Sequence, residues 1–211
     1  GRGQRSEARG QSDVGVLMKP EGPVTRRGDL RFDAVEHAVG AAFIKAHHYA
    51  RGCSKTGVFF GAFRGEALVG VCQYLPPTKV AAQSVSERWK QVLSLTRMAV
   101  LETEPQNSTS MLLSASMRWV RTLALPDGSA WEWLVTYADE SQGHTGAIYK
   151  ATNWTHVGRT GPYERWVDQS GAQVATKSGP KTRTRAEMLA LGYRSAGKFF
   201  KEKFTYRLKR F

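Results

Sequence analysis

Only two cysteines, Cys53 and Cys72, occur in the 211 residues, and neither stands in a C-x-x-C pair. That excludes a zinc ribbon and argues against a disulfide framework. No apolar run approaches the roughly 20 residues that cross a bilayer. The opening stretch GRGQRSEARGQSD lacks the apolar centre of a secretion signal, so the expectation is a cytoplasmic chain with no membrane partner. Acids are also scarce: 18 Asp and Glu face 31 Lys and Arg, a net charge of +13. An excess of that size on so short a chain points to a polyanionic partner, most often nucleic acid. Aromatics are plentiful, with six Trp, seven Tyr and nine Phe, and 41% of residues are hydrophobic. A core can therefore form, and a wholly disordered chain is excluded.

Residues 1–22 read as a flexible basic arm, and 23–211 as one catalytic domain with a basic insertion at about 160–195. Asp33, with Glu36 three residues on, predicts the capping box of a helix running through AVEHAVGAAFIKAHHY. GVFFGAFR and ALVGVCQYL, joined by Gly65-Glu66, predict a tight β-hairpin that Pro76-Pro77 ends. VLSLTRMAVL predicts a buried strand. Polar ETEPQNSTS then leads into a helix over 111–125, whose apolar stripe is Met111, Leu112, Ala115, Trp119 and Leu123. WEWLVTY is a strand ending at Asp139, Thr145 is the expected cap of a helix through 146–152, and 154–159 and 203–208 are further strands. WVDQSGAQV predicts a hairpin turning at Gln169-Ser170-Gly171. This order implies an α/β fold with a mixed, mostly antiparallel central sheet flanked by helices.

The order of strand, polar loop, helix, strand and helix from residue 92 to 152 resembles the GCN5-related N-acetyltransferase fold. Residues 147–154, AIYKATNW, are similar to that superfamily's A-x-x-x-Y-x-x-x-G-F region, with Asn153-Trp154 in place of Gly-Phe. His47-His48-Tyr49, Leu95-Thr96-Arg97-Met98, Thr136-Tyr137-Ala138-Asp139 and the run GHTGAIYKATNW resemble the Mom family of phage DNA modification proteins. The similarity runs from about residue 30 to 208. It implies an acyltransferase-like enzyme that converts adenine in double-stranded DNA to its N6-methylcarbamoyl form and so shields DNA from restriction. Acetyl-CoA is the donor that it suggests, and iron the suspected metal. Two other readings remain open at this point: an N-acetyltransferase acting on a protein or small-molecule amine, and a DNA-binding module without catalysis.

On this resemblance Tyr149 is the expected general acid, since a phenol can give a proton to a departing thiolate and regain it. Asp139, at a strand end where ligand crevices form, is expected to hold the adenine amine or act as base. His48 and Tyr49, ending the first helix, complete the catalytic set. Arg97, inside an apolar strand, requires a partner, either Asp139 or a ligand phosphate. The cofactor side comprises Arg97, Val100, Asn107, Ser108, Thr109, Ser110 and Asn153. Residues 105–110 precede a helix whose unpaired N–H groups and dipole favour a pyrophosphate, although they replace the superfamily's glycine-rich loop with hydroxyl and amide side chains. His47, His48, Asp139 and His144 are the available metal ligands, in a spacing that matches no ligand pattern.

From Lys177 to Phe211 eleven basic residues face only Glu187 and Glu202, a local charge of +9. Lys177, Lys181, Arg183, Arg185, Lys198 and Lys201 are the expected DNA contacts. Such side chains bind phosphate without reading sequence. Binding to duplex DNA should therefore weaken with salt along a log–log slope of about −5 to −9, for roughly six to ten phosphate contacts. Titrations by fluorescence anisotropy at several salt concentrations measure it, and a slope near zero would remove DNA as the partner of this segment.

Overall fold

The computed structural model describes residues 25–178 and 181–208. The expected arm over 1–22 lies outside the described residues. In chain order the elements are β1 (Thr25–Arg27), β2 (Leu30–Val35), α1 (His37–His47), β3 (Val58–Arg64), β4 (Ala67–Leu75), α2 (Lys79–Gln83), β5 (Val92–Val100), α3 (Ser108–Val120), β6 (Trp133–Asp139), α4 (Ala147–Ala151), β7 (Thr155–Arg159) and β8 (Tyr163–Val167). They continue as β9 (Gln173–Val174), β10 (Lys177–Ser178), β11 (Lys181–Thr182), α5 (Arg185–Ala190), β12 (Arg194–Phe199) and β13 (Lys201–Arg207). Eight strands form one sheet in the order β1-β2-β3-β4-β5-β6-β13-β7. Its pairings are antiparallel except that of β5 with β6. The mixed, mostly antiparallel α/β sheet expected from the sequence is the architecture observed.

Helix α3 packs one face of the sheet, burying Leu112, Leu113, Met117 and Trp119 among Phe32, Phe60, Leu93, Leu134 and Phe204. Helix α1 covers the other face, with Phe43 and Ile44 against Phe59, Val71 and Ala99. The predicted hairpin forms with Arg64 opposite Ala67, so Gly65-Glu66 is its two-residue turn.

The first predicted helix starts later than its capping signal. Asp33 pairs with Gly61 inside β2, the strand runs to Val35, and α1 begins at His37 with no side-chain cap from Glu36. Burying Leu30 and Phe32 through sheet pairing outweighs a surface cap, which is worth only about 1 kcal/mol. Helix α3 starts and ends earlier than its predicted 111–125, because Ser108, Thr109 and Ser110 form its first turn. Thr145 is not the cap of α4: Gly146 is, at φ +75°, with no side-chain cap bond. Elements α5 and β12 and the β10–β11 ribbon had no expectation.

Between β7 and β13, which are sheet neighbours, the chain leaves to build a second sheet, β12-β8-β9, together with that ribbon and α5. The expected hairpin at 166–174 is present, with Trp166 opposite Val174. Helix α5 carries a complete capping box, Thr184 with Glu187.

Gly146 sets the direction of α4. Its left-handed backbone is cheap only without a side chain, and a Cβ there would overlap the Phe204 ring. Gly146→Ala should destabilise the fold by about 2–5 kcal/mol, combining left-handed strain with overpacking. Urea denaturation measures it, and a change under about 0.5 kcal/mol, the scale of an ordinary surface substitution, would contradict this packing.

Candidate active site

Strands β5 and β6 pair only over Val92–Ser94 with Trp133–Val135. Beyond that they part, for a visible reason. Gln73 pairs with Arg97 and Tyr74 with Leu95, so Thr96 is the extra residue of a bulge on β5. A bulge bends its strand and increases its twist. Strand β6 meanwhile stays in register with β13 from Trp133 to Asp139. The last link across the opening is the Thr136 hydroxyl, which donates to the Leu95 carbonyl at 3.0 Å.

A cleft of about 380 Å³ fills the gap. Its walls are Leu95–Met98 of β5, Thr136–Ala138 of β6, the 143–149 segment, Thr109 of α3, and His48 with Tyr49. A second groove, lined by Gln106, Asn107, Thr109, Ser110, Ala147, Ile148 and Ala151, continues from it, with Thr109, Ala147 and Ile148 common to both.

Tyr149 is buried on α4, its hydroxyl 3.3 Å from that of Thr136. Burial pushes its pKa up to about 12, so it keeps its proton at neutral pH. His48 is also buried. Its Nδ1 accepts the Ala50 N–H at 3.1 Å, which puts the neutral ring's proton on Nε2. Burial, then the charges of Arg97 and His144, lower its pKa to about 4. His48 is thus an uncharged donor at neutral pH. Tyr49 beside it is 41% exposed, its ring centroid 4.2 Å from that of His48 and 5.5 Å from that of His144. Burial and the charge of Asp139 raise the Tyr49 pKa.

Among the described residues, Arg97 pairs with neither Asp139 nor another carboxylate. Its Nη1 donates to the carbonyl of the bulge residue Thr96 at 2.7 Å and its Nε to Gly52 O at 2.9 Å. It ties the bulge to the loop that follows His48-Tyr49. Gln73, fully buried, holds the same loop by donating to Ser54 O and Thr56 O, both at 3.2 Å. Sequence reasoning missed Gln73, although an amide inside the apolar run ALVGVCQYL is itself a sign of a demanded partner.

Asp139 is buried but does not line the cleft. It lies on the Val135–Tyr137 side of β6, opposite Thr136 and Ala138 by strand alternation. Its carboxylate accepts from the Ser141 N–H at 3.0 Å and from the Tyr163 hydroxyl, and Lys201 Nζ is 3.7 Å away. Burial would raise its pKa, but the hydrogen bonds from Tyr163 and Ser141 and the Lys201 charge outweigh that and hold it below the ordinary value. No signal in the sequence pointed to Tyr163.

The expected cofactor residues divide. Asn107, Thr109 and Ser110 line the second groove and Arg97 the cleft. Ser108 is buried, its Oγ without a hydrogen-bond partner among the described residues. Val100 packs against the core beside Gly70 rather than lining either opening. Asn153 lines neither; it ends α4 at φ +64°. That conformation explains why asparagine can stand where the superfamily pattern has glycine. Of the expected DNA contacts, Lys181 pairs with Glu187 at 2.6 Å, Arg185 with Glu164, and Lys201 with Asp139. Arg183 donates to Ala175 O at 3.3 Å, while Lys177 and Lys198 are exposed.

Among the described residues no three His, Cys, Asp or Glu side chains come together to hold a metal ion. His48 is already engaged at Nδ1, so the residues present do not fit an iron site. Among the same residues no helix is long and apolar enough to cross a membrane.

A sheet opened between its parallel strands, with a helix starting at the mouth, is the GCN5-related N-acetyltransferase fold. Solved structures agree on the fold. A ribosomal-protein-S5-alanine acetyltransferase from Vibrio fischeri is 8% identical, with a TM-score of 0.52 over 89% of this chain and 98% of that one. A Bacillus subtilis acetyltransferase, solved in complex with CoA, is 13% identical, with a TM-score of 0.51 over 85% and 99%. The sequence profile of the Mom protein family matches residues 29–207, and the chain belongs to that family. It is 28% identical over 154 residues to the methylcarbamoylase mom of Escherichia phage Mu, a match covering 68% of this chain and 62% of that relative's length.

The low pKa of His48 has a consequence for stability. An unfolded histidine takes up a proton near pH 6.5, whereas the folded one resists until about 4. The unfolded state therefore binds more protons in that window, so stability falls as pH drops from about 6.5 to 4. His48→Gln should flatten that part of the Tm-versus-pH curve. An unchanged slope in calorimetry would show that His48 is not held neutral by the fold.

Proposed function

We propose that this protein modifies adenine in double-stranded DNA, forming its N6-methylcarbamoyl derivative and so protecting the DNA from restriction. The groove between α3 and α4 would hold acetyl-CoA as the source of the two carbons. Plain acyl transfer would stop at N6-acetyladenine, so the methylcarbamoyl product also requires an amine donor for its extra nitrogen and a two-electron oxidant as co-reactants. The observation that carries this reading is the cleft that opens where β5 and β6 stop pairing, continuous with the groove at the start of α3. Membership of the Mom family and the name of the phage Mu relative, a methylcarbamoylase, support the methylcarbamoyl product, and the charge of +13 supports DNA as the substrate.

In the first turn of α3 the Ser108 N–H is taken by the Pro105 carbonyl, while those of Thr109 and Ser110 have no partner within the helix and no side-chain cap from Asn107. With the helix dipole, Asn107, Thr109 and Ser110 would hold the coenzyme's phosphates there. When bound, the coenzyme supplies an activated acyl thioester. Tyr149, which keeps its proton at neutral pH, serves as a hydrogen-bond donor to the developing thiolate; its raised pKa makes it a weaker acid than a free phenol, so it stabilises that charge more than it gives up its proton. His48 offers an Nε2–H donor toward developing negative charge in the cleft, and being neutral it does not repel a cationic intermediate. Arg97 positions the His48-Tyr49 loop. Asp139 acts outside the cleft as a positioning residue, anchoring Tyr163.

The test is nucleoside mass spectrometry of DNA from cells expressing the chain, beside the Tyr149→Phe variant. The expected result is a modified deoxyadenosine whose yield falls about 100-fold or more in Tyr149→Phe while circular dichroism stays native. Unmodified DNA with an acetylated amine product would favour an ordinary N-acetyltransferase. Tight DNA binding with neither product would favour a non-catalytic module.

A further inference from the structure

We infer that Tyr49 is the stacking platform for the target base, acting through its ring rather than its hydroxyl; this rests on the reading of the protein as a DNA adenine-modifying enzyme. An adenine whose N6 is to react inside a duplex must leave the base stack, which removes its stacking energy. The site needs a planar apolar surface at its mouth to restore that energy. Tyr49 meets the requirement. It lines the cleft yet remains 41% exposed, and it is the one exposed Phe, Trp or Tyr among the described residues. Its ring is backed by that of His48 at 4.2 Å with a 31° tilt, close to stacked, and abutted by His144 at 5.5 Å and 70°.

The backing is rigid. His48 is fixed through Nδ1 by the Ala50 N–H, and the loop beyond is held by Arg97 at Gly52 and by Gln73 at Ser54 and Thr56. A platform held in this way loses little side-chain entropy when a base docks. His48, uncharged at neutral pH, presents a ring instead of a cation behind it. The Tyr49 hydroxyl, by contrast, has no hydrogen-bond partner among the described residues. Its pKa is raised, so it is a poor source of phenolate. The ring has the better-defined environment of its two parts.

The experiment compares the affinity of the wild-type chain, Tyr49→Phe, Tyr49→Leu and Tyr49→Ala for two single-stranded oligonucleotides. One contains adenines; the other is the same strand with abasic sites in their place. Base–aromatic stacking predicts that the wild type prefers the adenine strand by roughly 5- to 150-fold. Tyr49→Phe should retain that preference within about threefold, an allowance for context dependence well below one full stacking contact. Tyr49→Leu and Tyr49→Ala should lose most of it. The leucine variant keeps apolar bulk, so its loss separates aromatic stacking from simple packing.

A Tyr49→Phe chain as impaired as Tyr49→Ala would overturn the inference in favour of the hydroxyl, as would a preference that survives in Tyr49→Ala. Nucleoside mass spectrometry on the same wild-type preparation judges the parent reading separately. If no modified adenosine forms, that reading fails, and the adenine-to-abasic ratio still decides whether Tyr49 stacks a base.

Discussion

The structure depends on a pairing that stops. Strands β5 and β6 share three register pairs and then part, because each is committed to its outer neighbour: β5 to β4 as far as Val100, and β6 to β13 along its whole length. The bulge at Thr96 turns β5 aside at the point of departure. Its carbonyl, which an ordinary ladder would use, is taken by the Arg97 guanidinium. A sheet opened in its middle leaves inner backbone edges without strand partners, and such groups are costly to bury unless something bonds to them. The cleft is therefore a place where the fold has reserved hydrogen-bonding capacity as well as empty space.

The same bulge organises the opposite wall. By reaching Gly52, Arg97 makes the geometry of β5 and the position of the His48-Tyr49 loop one problem. Its charge lowers the pKa of His48, second only to burial. One cation thus satisfies a bulge carbonyl, anchors a loop and keeps a neighbouring imidazole neutral. The demand for a partner to Arg97 was legible in the sequence. The partner was not, since backbone carbonyls leave no trace in residue type.

This contrast runs through the molecule. Elements with strong periodicity or turn chemistry, such as the 57–75 hairpin, the strand at 92–101 and the hairpin turning at 169–171, follow local rules and were readable. Asp33 shows where local rules lose: its capping pattern is sound, but β3 offers Leu30 and Phe32 a burial worth more than a cap. Gly146 and Asn153 show a subtler limit, because both are set by positive φ at the two ends of α4 and only the glycine advertises it. Tyr149, His48 and Tyr49 stood out in the sequence because their motifs resemble a family's, and the fold brings all three to the cleft. Gln73 and Tyr163 act from strands distant in sequence, so their roles appear only once the sheet is assembled.

The insertion that the chain makes between β7 and β13 is the final consequence of the topology. Its two ends meet at the end of β6: Thr160 and Lys201 exchange hydrogen bonds, with Lys201 opposite Asp139 in the ladder. Tyr163, at the start of β8, donates to the same Asp139. The buried carboxylate is thus a common root for the entry and exit of the insertion, a few residues from the cleft wall at Ala138. Within the insertion, Glu164 and Glu187 each take a cation, which restrains Arg185 and Lys181. Exposed pairs of this kind contribute little stability, so their effect is chiefly to orient. Lys177 and Arg194 are exposed and have no carboxylate partner among the described residues. On the proposed reading, charge rooted in this way beside the cleft would orient a polyanion, whereas an unanchored tail of equal charge would only concentrate it nearby.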